Sequence, residues 1–241
     1  MLLRAIKSGD WRCELSSESI LVRRRDQDIG RYPLLKEPYC KRCSSLGFRT
    51  QKCPWHSRFP DALVRIFAVS PYYPLGLPES GLLDDHVNRL KTDAEYAIPI
   101  GLAMSLMMLE RYETDLKGFE ALVPVPLYQS SLTSRGYNQA EELARRISKE
   151  CKIGQISLLR KTREVKQRGS GMDARWSAVK GAYSCDSSCD AESVLLIDDV
   201  STSGATVSEC ADVLSRHGVK MVCALVAARD TNRPSSQWAI V

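Results

Sequence analysis

Residues 194–206 read VLLIDDVSTSGAT, and this stretch decides the fold class. Val194 to Ile197 form a continuous apolar run, the pattern of a strand buried on both faces in a parallel sheet. The run delivers two adjacent carboxylates, Asp198 and Asp199, to the carboxyl edge of that sheet, where open α/β sheets bind ligands. Thr202, Ser203, Gly204, Ala205 and Thr206 then turn into a helix read over Ser203–His217 and stopped by Gly218. Gly204 and Ala205 let backbone amides approach an anion closely, and a helix start adds roughly half a positive charge there. The hydroxyls of Thr202, Ser203 and Thr206 add further donors. One loop therefore offers donors for a phosphate beside acceptors for sugar hydroxyls or a metal. It is not a P-loop, because no G-x-x-x-x-G-K-[ST] occurs.

Working outward, residues 119–241 alternate strands and helices, the signature of an α/β core built on a mainly parallel sheet flanked by helices. Phe119–Pro126 reads as a strand. Asn138–Cys151 reads as an amphipathic helix with Ala140, Leu143, Ala144 and Ile147 on one face, and Asn138 and Glu141 resemble a capping box. Gln155–Leu159 and Val179–Tyr183 read as short strands, and Lys220–Ala227 as another buried one. Residues 61–118 read as a mainly helical connector packed on the core, including the Pro-rich turn region Ser70–Pro78. Residues 1–60 read as a small module rich in Cys and Arg, with one strand at Ser19–Arg24.

The module carries the second strong pattern. Cys40-x-x-Cys43 and Cys53-x-x-His56 are separated by nine residues, a spacing that lets two turns present four ligands to one tetrahedral zinc ion. Three thiolates and an imidazole close the site, so the zinc is structural. Cys13 is the alternative fourth ligand. Cys151, Cys210 and Cys223 fall on apolar faces, and Cys185 and Cys189 lack two further ligands for a site of their own.

Composition bounds the function classes. At 44% hydrophobic and 26% charged, the 241 residues can bury a core and are not a disordered chain. Arg4, Lys7 and Asp10 interrupt any secretory leader, and the longest apolar stretch, Ala97–Leu109, falls short of the roughly 20 residues of a membrane span. The expectation is a soluble cytoplasmic protein with no membrane partner and with reduced cysteines. The net charge of +5 suits a phosphate-rich ligand or a nucleic acid without choosing between them.

The 194–206 segment resembles the phosphoribosyl pyrophosphate loop of type I phosphoribosyltransferases. That resemblance implies that Asp198 and Asp199 hold the ribose hydroxyls, and that Thr202, Ser203, Gly204, Ala205 and Thr206 cradle the 5′-phosphate. Purine-salvage members place an aspartate where this chain has Thr202. A hydroxyl is no general base near neutral pH, so purine salvage is disfavoured. Two more segments sharpen the likeness: Val123-Pro-Val-Pro-Leu127, and Arg135-Gly-Tyr-Asn-Gln139 opening a helix. With the Cys-rich module they resemble the ComF competence-protein family, which includes the GntX-type proteins, over residues 40–230 or so.

The family pattern implies a pyrophosphate loop at Val125–Leu127, and Arg135 is the residue best suited to a phosphate, since a guanidinium pairs two of its oxygens at once. Residues 160–168 hold five basic residues among nine and imply a flap that brings Lys166 and Arg168 over the pyrophosphate. Gln167 and Arg175 keep the family spacing, whereas Ser170, Ala178 and His56 depart from its usual Leu, Asn and Cys. The expected activity is transfer of a phosphoribosyl group from magnesium-bound phosphoribosyl pyrophosphate to a nitrogen acceptor. The alternative is a non-catalytic adaptor in DNA uptake or processing that binds single-stranded DNA or a helicase partner.

Overall fold

The computed structural model describes residues 4–230 except 38, 46–52, 54–55, 74–79, 166–171 and 187–188. Its centre is a five-stranded, all-parallel sheet of β5 (Leu63–Tyr72), β6 (Ala121–Pro124), β7 (Gly154–Gln155), β10 (Ser193–Ser201) and β11 (Met221–Asp230), in the order β5-β11-β10-β6-β7. Side chains alternate across it. Leu195, Ile197, Cys223 and Leu225 enter one core, while Val194, Leu196, Val222 and Ala224 enter the other.

The first core holds α1 (Leu82–Arg89), α2 (Ala97–Arg111) and α5 (Gln139–Cys151), roofed by a second sheet. That sheet is antiparallel, formed by β1 (Arg4–Ser8), β2 (Trp11–Leu15), β3 (Ser19–Arg24) and β4 (Gln27–Pro33). Its inward face presents Trp11, Cys13, Leu15, Ile20, Val22 and Tyr32. Helix α2 lies between the two sheets and is buried from Pro99 to Met108, which explains an apolar run with no polar face. It crosses α5 at Gly101, where an added Cβ would sit 2.6 Å from the Arg146 Cγ. The second core packs α7 (Ala205–Arg216) and the hairpin of β8 (Leu159–Lys161) and β9 (Tyr183–Cys185) against the opposite face. Short helices α3 (Glu113–Leu116), α4 (Gln129–Arg135) and α6 (Met172–Val179) complete the described chain.

The fold is the type I phosphoribosyltransferase fold with an N-terminal Cys3His cluster. The antiparallel sheet and β5 add to what the sequence led us to expect. Four strands stand where one was read, and Leu63–Tyr72 is a sheet strand within a stretch read as mainly helical. The remaining strands shift by a few residues, with the hairpin at Leu159–Lys161 and Tyr183–Cys185 rather than Gln155–Leu159 and Val179–Tyr183. Strand β5 lies at the edge of the central sheet, and the Cys-rich segment covers it. The Leu35 amide donates to the Val69 carbonyl at 3.2 Å, the Ile66 amide to the Arg42 carbonyl at 2.8 Å, and the Ser44 hydroxyl to the Ile66 carbonyl at 2.8 Å. No described helix is long and apolar enough to cross a membrane.

Candidate functional site

Because the central strands are parallel, their carboxyl ends gather at one edge. Ile197 pairs with Pro124 of β6, and Ser201 with Arg229 of β11, so Asp198 and Asp199 lie in the last part of β10, beyond the end of β6, and Thr202–Gly204 form the turn into α7. The loop leads into α7 through Gly204, which takes the left-handed conformation at φ +82°. A Cβ there would lie 2.9 Å from Phe59 Cε1, so glycine is required both by the torsion and by the neighbouring ring. The Ser203 hydroxyl accepts the Ala205 amide at 3.3 Å, and the N-cap residue Gly204 has no side chain to add a second cap. Ser203, Gly204 and Ala205 are buried, while Thr202 and Thr206 are half-exposed. Thr202 and Thr206 are thus the side chains of this turn that keep accessible surface.

The acidic pair is tied to its own backbone. The Asp199 amide donates to Asp198 Oδ1 at 3.0 Å, and the Val200 amide to Asp199 Oδ1 at 2.7 Å. Both carboxyls are half-buried. Desolvation, and then the charge of Asp199, push the Asp198 pKa well above the usual carboxylate range; Lys161 opposes this. Lys161, at the end of β8, is itself pushed down by burial and drawn up by Asp198, and its Nζ lies 5.4 Å from the centroid of the Tyr183 ring. Burial, Cys210 and Asp198 raise the Tyr183 pKa, while a hydrogen bond with Thr206 counters them. Lys161, Tyr183 and Cys210 thus back the pair, and the sequence reading named none of them as site residues. Only β8–β9 pairing brings Lys161 and Tyr183 together, and no local pattern announces it.

Of the other expected residues, Val125 is buried directly beyond β6. Its amide donates to the Ile197 carbonyl at 3.0 Å, and its carbonyl accepts from Asn138 Nδ2 at 3.0 Å. Asn138 also accepts the Ala140 amide at 3.1 Å, so one side chain starts α5 and holds the Pro-Val-Pro turn in place. The bond with Glu141 that a capping box needs does not form among the described contacts. Tyr137 packs on the first core and donates to the Leu90 carbonyl. Arg135 is exposed at the end of α4 and hydrogen-bonded to no described residue. Arg175 is half-buried on α6. Lys166 and Arg168 lie outside the described residues, as does most of the expected flap.

Cys40, Cys43, Cys53 and His56 converge, with all ligand atoms within 4.8 Å of one another. Cys40 Sγ lies 3.3 Å from His56 Nδ1, and Cys43 Sγ 3.5 Å from Cys53 Sγ. Sulfurs about 2.3 Å from a tetrahedral ion sit roughly 3.7 Å apart, so the four donors fit a structural metal with no open position. Hydrogen bonds with Cys43, then with Cys53, lower the Cys40 thiol pKa, while the bond with Cys40 raises that of Cys43, as expected of sulfurs packed this closely. Cys13 is elsewhere, buried in β2 and donating to the Pro99 carbonyl at 3.5 Å, which settles the fourth ligand on His56. Cys210 and Cys223 are core residues and Cys151 is half-buried.

No family model matches the chain. Several proteins do. "Competence protein F" of Haemophilus influenzae is 29% identical over 195 residues, covering 77% of this chain and 82% of the relative. "DNA utilization protein YhgH" of Escherichia coli strain K12 is 28% identical over 166 residues, covering 68% and 71%. The protein of that name in Salmonella typhi is 27% identical over 189 residues, covering 76% and 80%.

Proposed function

From the likeness to proteins named for competence and DNA utilization, we propose that the chain is a ComF-family member, a cytoplasmic phosphoribosyltransferase that binds magnesium-bound phosphoribosyl pyrophosphate at the edge of the sheet. Asp198 and Asp199 take the ribose hydroxyls, and Thr202–Thr206 the 5′-phosphate. Val125 borders the pyrophosphate, which Arg135, Lys166 and Arg168 meet. A nitrogen acceptor forms the new bond to ribose C1 as the C1–oxygen bond to pyrophosphate breaks, and the nitrogen gives up a proton. No site side chain is a dedicated base, so the rate acceleration rests on positioning and charge stabilisation. Zinc fills the Cys3His cluster as a structural ion.

The observation that carries the reading is a carboxylate pair in the last part of β10, a short turn ahead of the start of α7, at the carboxyl edge of a parallel sheet. The carboxyls of Asp198 and Asp199 accept from the ribose hydroxyls, and the charge of Lys161 favours the ionised form of Asp198. Calorimetry with phosphoribosyl pyrophosphate and magnesium tests the assignment. The Asp198→Asn/Asp199→Asn double variant is expected to lose at least tenfold in affinity, about 1.4 kcal/mol. Undiminished binding by that variant would sink it.

A second reading is favoured by the relatives' names, which speak of competence and DNA utilization. On it the chain is a non-catalytic adaptor that contacts single-stranded DNA or a helicase. A gel-shift series with single-stranded DNA at increasing salt discriminates, since phosphate contacts weaken steeply with salt; no shift at low salt excludes direct DNA contact.

A further inference from the structure

Arg229 is 1% exposed, among the largest fully buried side chains of the protein. Its Nη1 donates to the Ser201 carbonyl at 3.0 Å, to the Ser201 hydroxyl at 2.8 Å and to the Thr202 carbonyl. Its Nη2 donates to the Ser45 hydroxyl at 3.0 Å. Ser45 Oγ accepts in turn from the Cys43 thiol at 3.1 Å. One buried cation therefore spans from the metal cluster to the loop before α7. A second contact runs beside it, since Phe59, three residues after His56, touches Gly204.

Two consequences follow from elementary chemistry. A trans peptide holds its carbonyl antiparallel to the next amide in one plane. With the Ser201 and Thr202 carbonyls turned towards Arg229, the Thr202 and Ser203 amides face the other way, as an anion at this loop requires. A buried guanidinium also needs countercharge. A divalent ion held by three thiolates and a neutral imidazole carries one net negative charge. Through the Ser45 hydroxyl the guanidinium reaches the Cys43 sulfur in two hydrogen bonds, so an ion held there bears on Arg229.

We infer that Arg229 is a positioning residue that ties the metal cluster to the ribose-phosphate loop, so that metal loading and sugar-phosphate binding reinforce each other. This rests on the ribose-phosphate reading of the loop. Coupling is reciprocal: whatever the ion adds to ligand affinity, the ligand adds to retention of the ion.

The test uses the metal-loaded chain with ribose 5-phosphate as probe. Calorimetry reads its affinity, and a colour-forming chelator reads the rate of metal release with and without it. In wild type the sugar phosphate slows release by about fivefold or more. Arg229→Met lowers affinity about tenfold and abolishes the protection, and Arg229→Lys recovers part of both, since charge returns without the planar fork. Ser45→Ala keeps the grip on the loop but cuts the link, so the sugar phosphate still binds and no longer protects the metal. Normal affinity and full protection in Arg229→Met, or full protection in Ser45→Ala, would overturn the inference; the second holds even if Arg229→Met does not fold. If wild type fails to bind ribose 5-phosphate at all, the ribose-phosphate reading falls. Arg229 is then judged by metal release alone, and unchanged release from Arg229→Met and Ser45→Ala rejects the tie.

Discussion

Gly204 offers the sharpest test of how the loop is held. Alanine there must adopt φ near +82°, which costs an L-residue about 1–2 kcal/mol. Its Cβ would also lie 2.9 Å from Phe59 Cε1 and 3.0 Å from Cζ, closer than real contacts allow. The ring is buried and stacked near Trp176, so it cannot swing away freely, and relieving such overpacking costs about 1–3 kcal/mol. Together, Gly204→Ala should lose roughly 2–5 kcal/mol in urea unfolding followed by circular dichroism. The two contributions separate in a double-mutant cycle. Phe59→Leu removes the clashing ring atoms, so the added alanine should then cost only the torsional part, about 1–2 kcal/mol. A loss below about 0.5 kcal/mol for Gly204→Ala, or an equal loss with and without Phe59→Leu, refutes the geometry.

Three further outcomes are expected. His86 is buried between Tyr32, Trp11 and Tyr96, and burial pulls its pKa down to about 4. Its folded value lies below the unfolded value near 6.5, so the unfolded chain takes up the extra proton; stability intact above about pH 6.5 falls as pH drops towards 4, by up to roughly 3 kcal/mol. His86→Gln should flatten that slope, and an identical slope in the variant discounts His86. Gly101→Leu should push α5 off α2 through the Arg146 stem and cost at least about 2 kcal/mol, read from the urea midpoint. Cys53→Ser should reduce bound metal, measured by atomic emission, from one ion per chain to near none, whereas Cys13→Ser should leave it unchanged.

The β10–α7 segment was legible in the sequence because its signals are local: an apolar run, two acids, small residues and a glycine at the turn all fall within fourteen positions. The metal ligands were legible for the same reason. The rest depends on contacts across the chain. Trp11, Cys13 and Leu15 alternate as a strand should, yet charged neighbours and tight turns mask the antiparallel sheet, and the helix it covers, α2, is distant in the chain. β5 lies in a stretch that reads as mainly helical and ends inside the Pro-rich turn region at Pro71 and Tyr72, though its pairing with β11 makes it a strand. Arg229 lay two residues beyond the expected end of its strand. The one clue was a basic residue closing an apolar run at the same edge as Asp198, and only the register that sets it opposite Ser201 gives it meaning.

The cover over β5 reaches beyond the ligand site. A parallel sheet ends in rows of unsatisfied amides and carbonyls that invite another chain to zip on. At the far side β7 is two residues long, too short to serve as a template. On the near side ten-residue β5 is masked by the very segment that gathers the cysteines. The turns that bring Cys40 and Cys43 together thus also close the longest open border of the central sheet to strand addition.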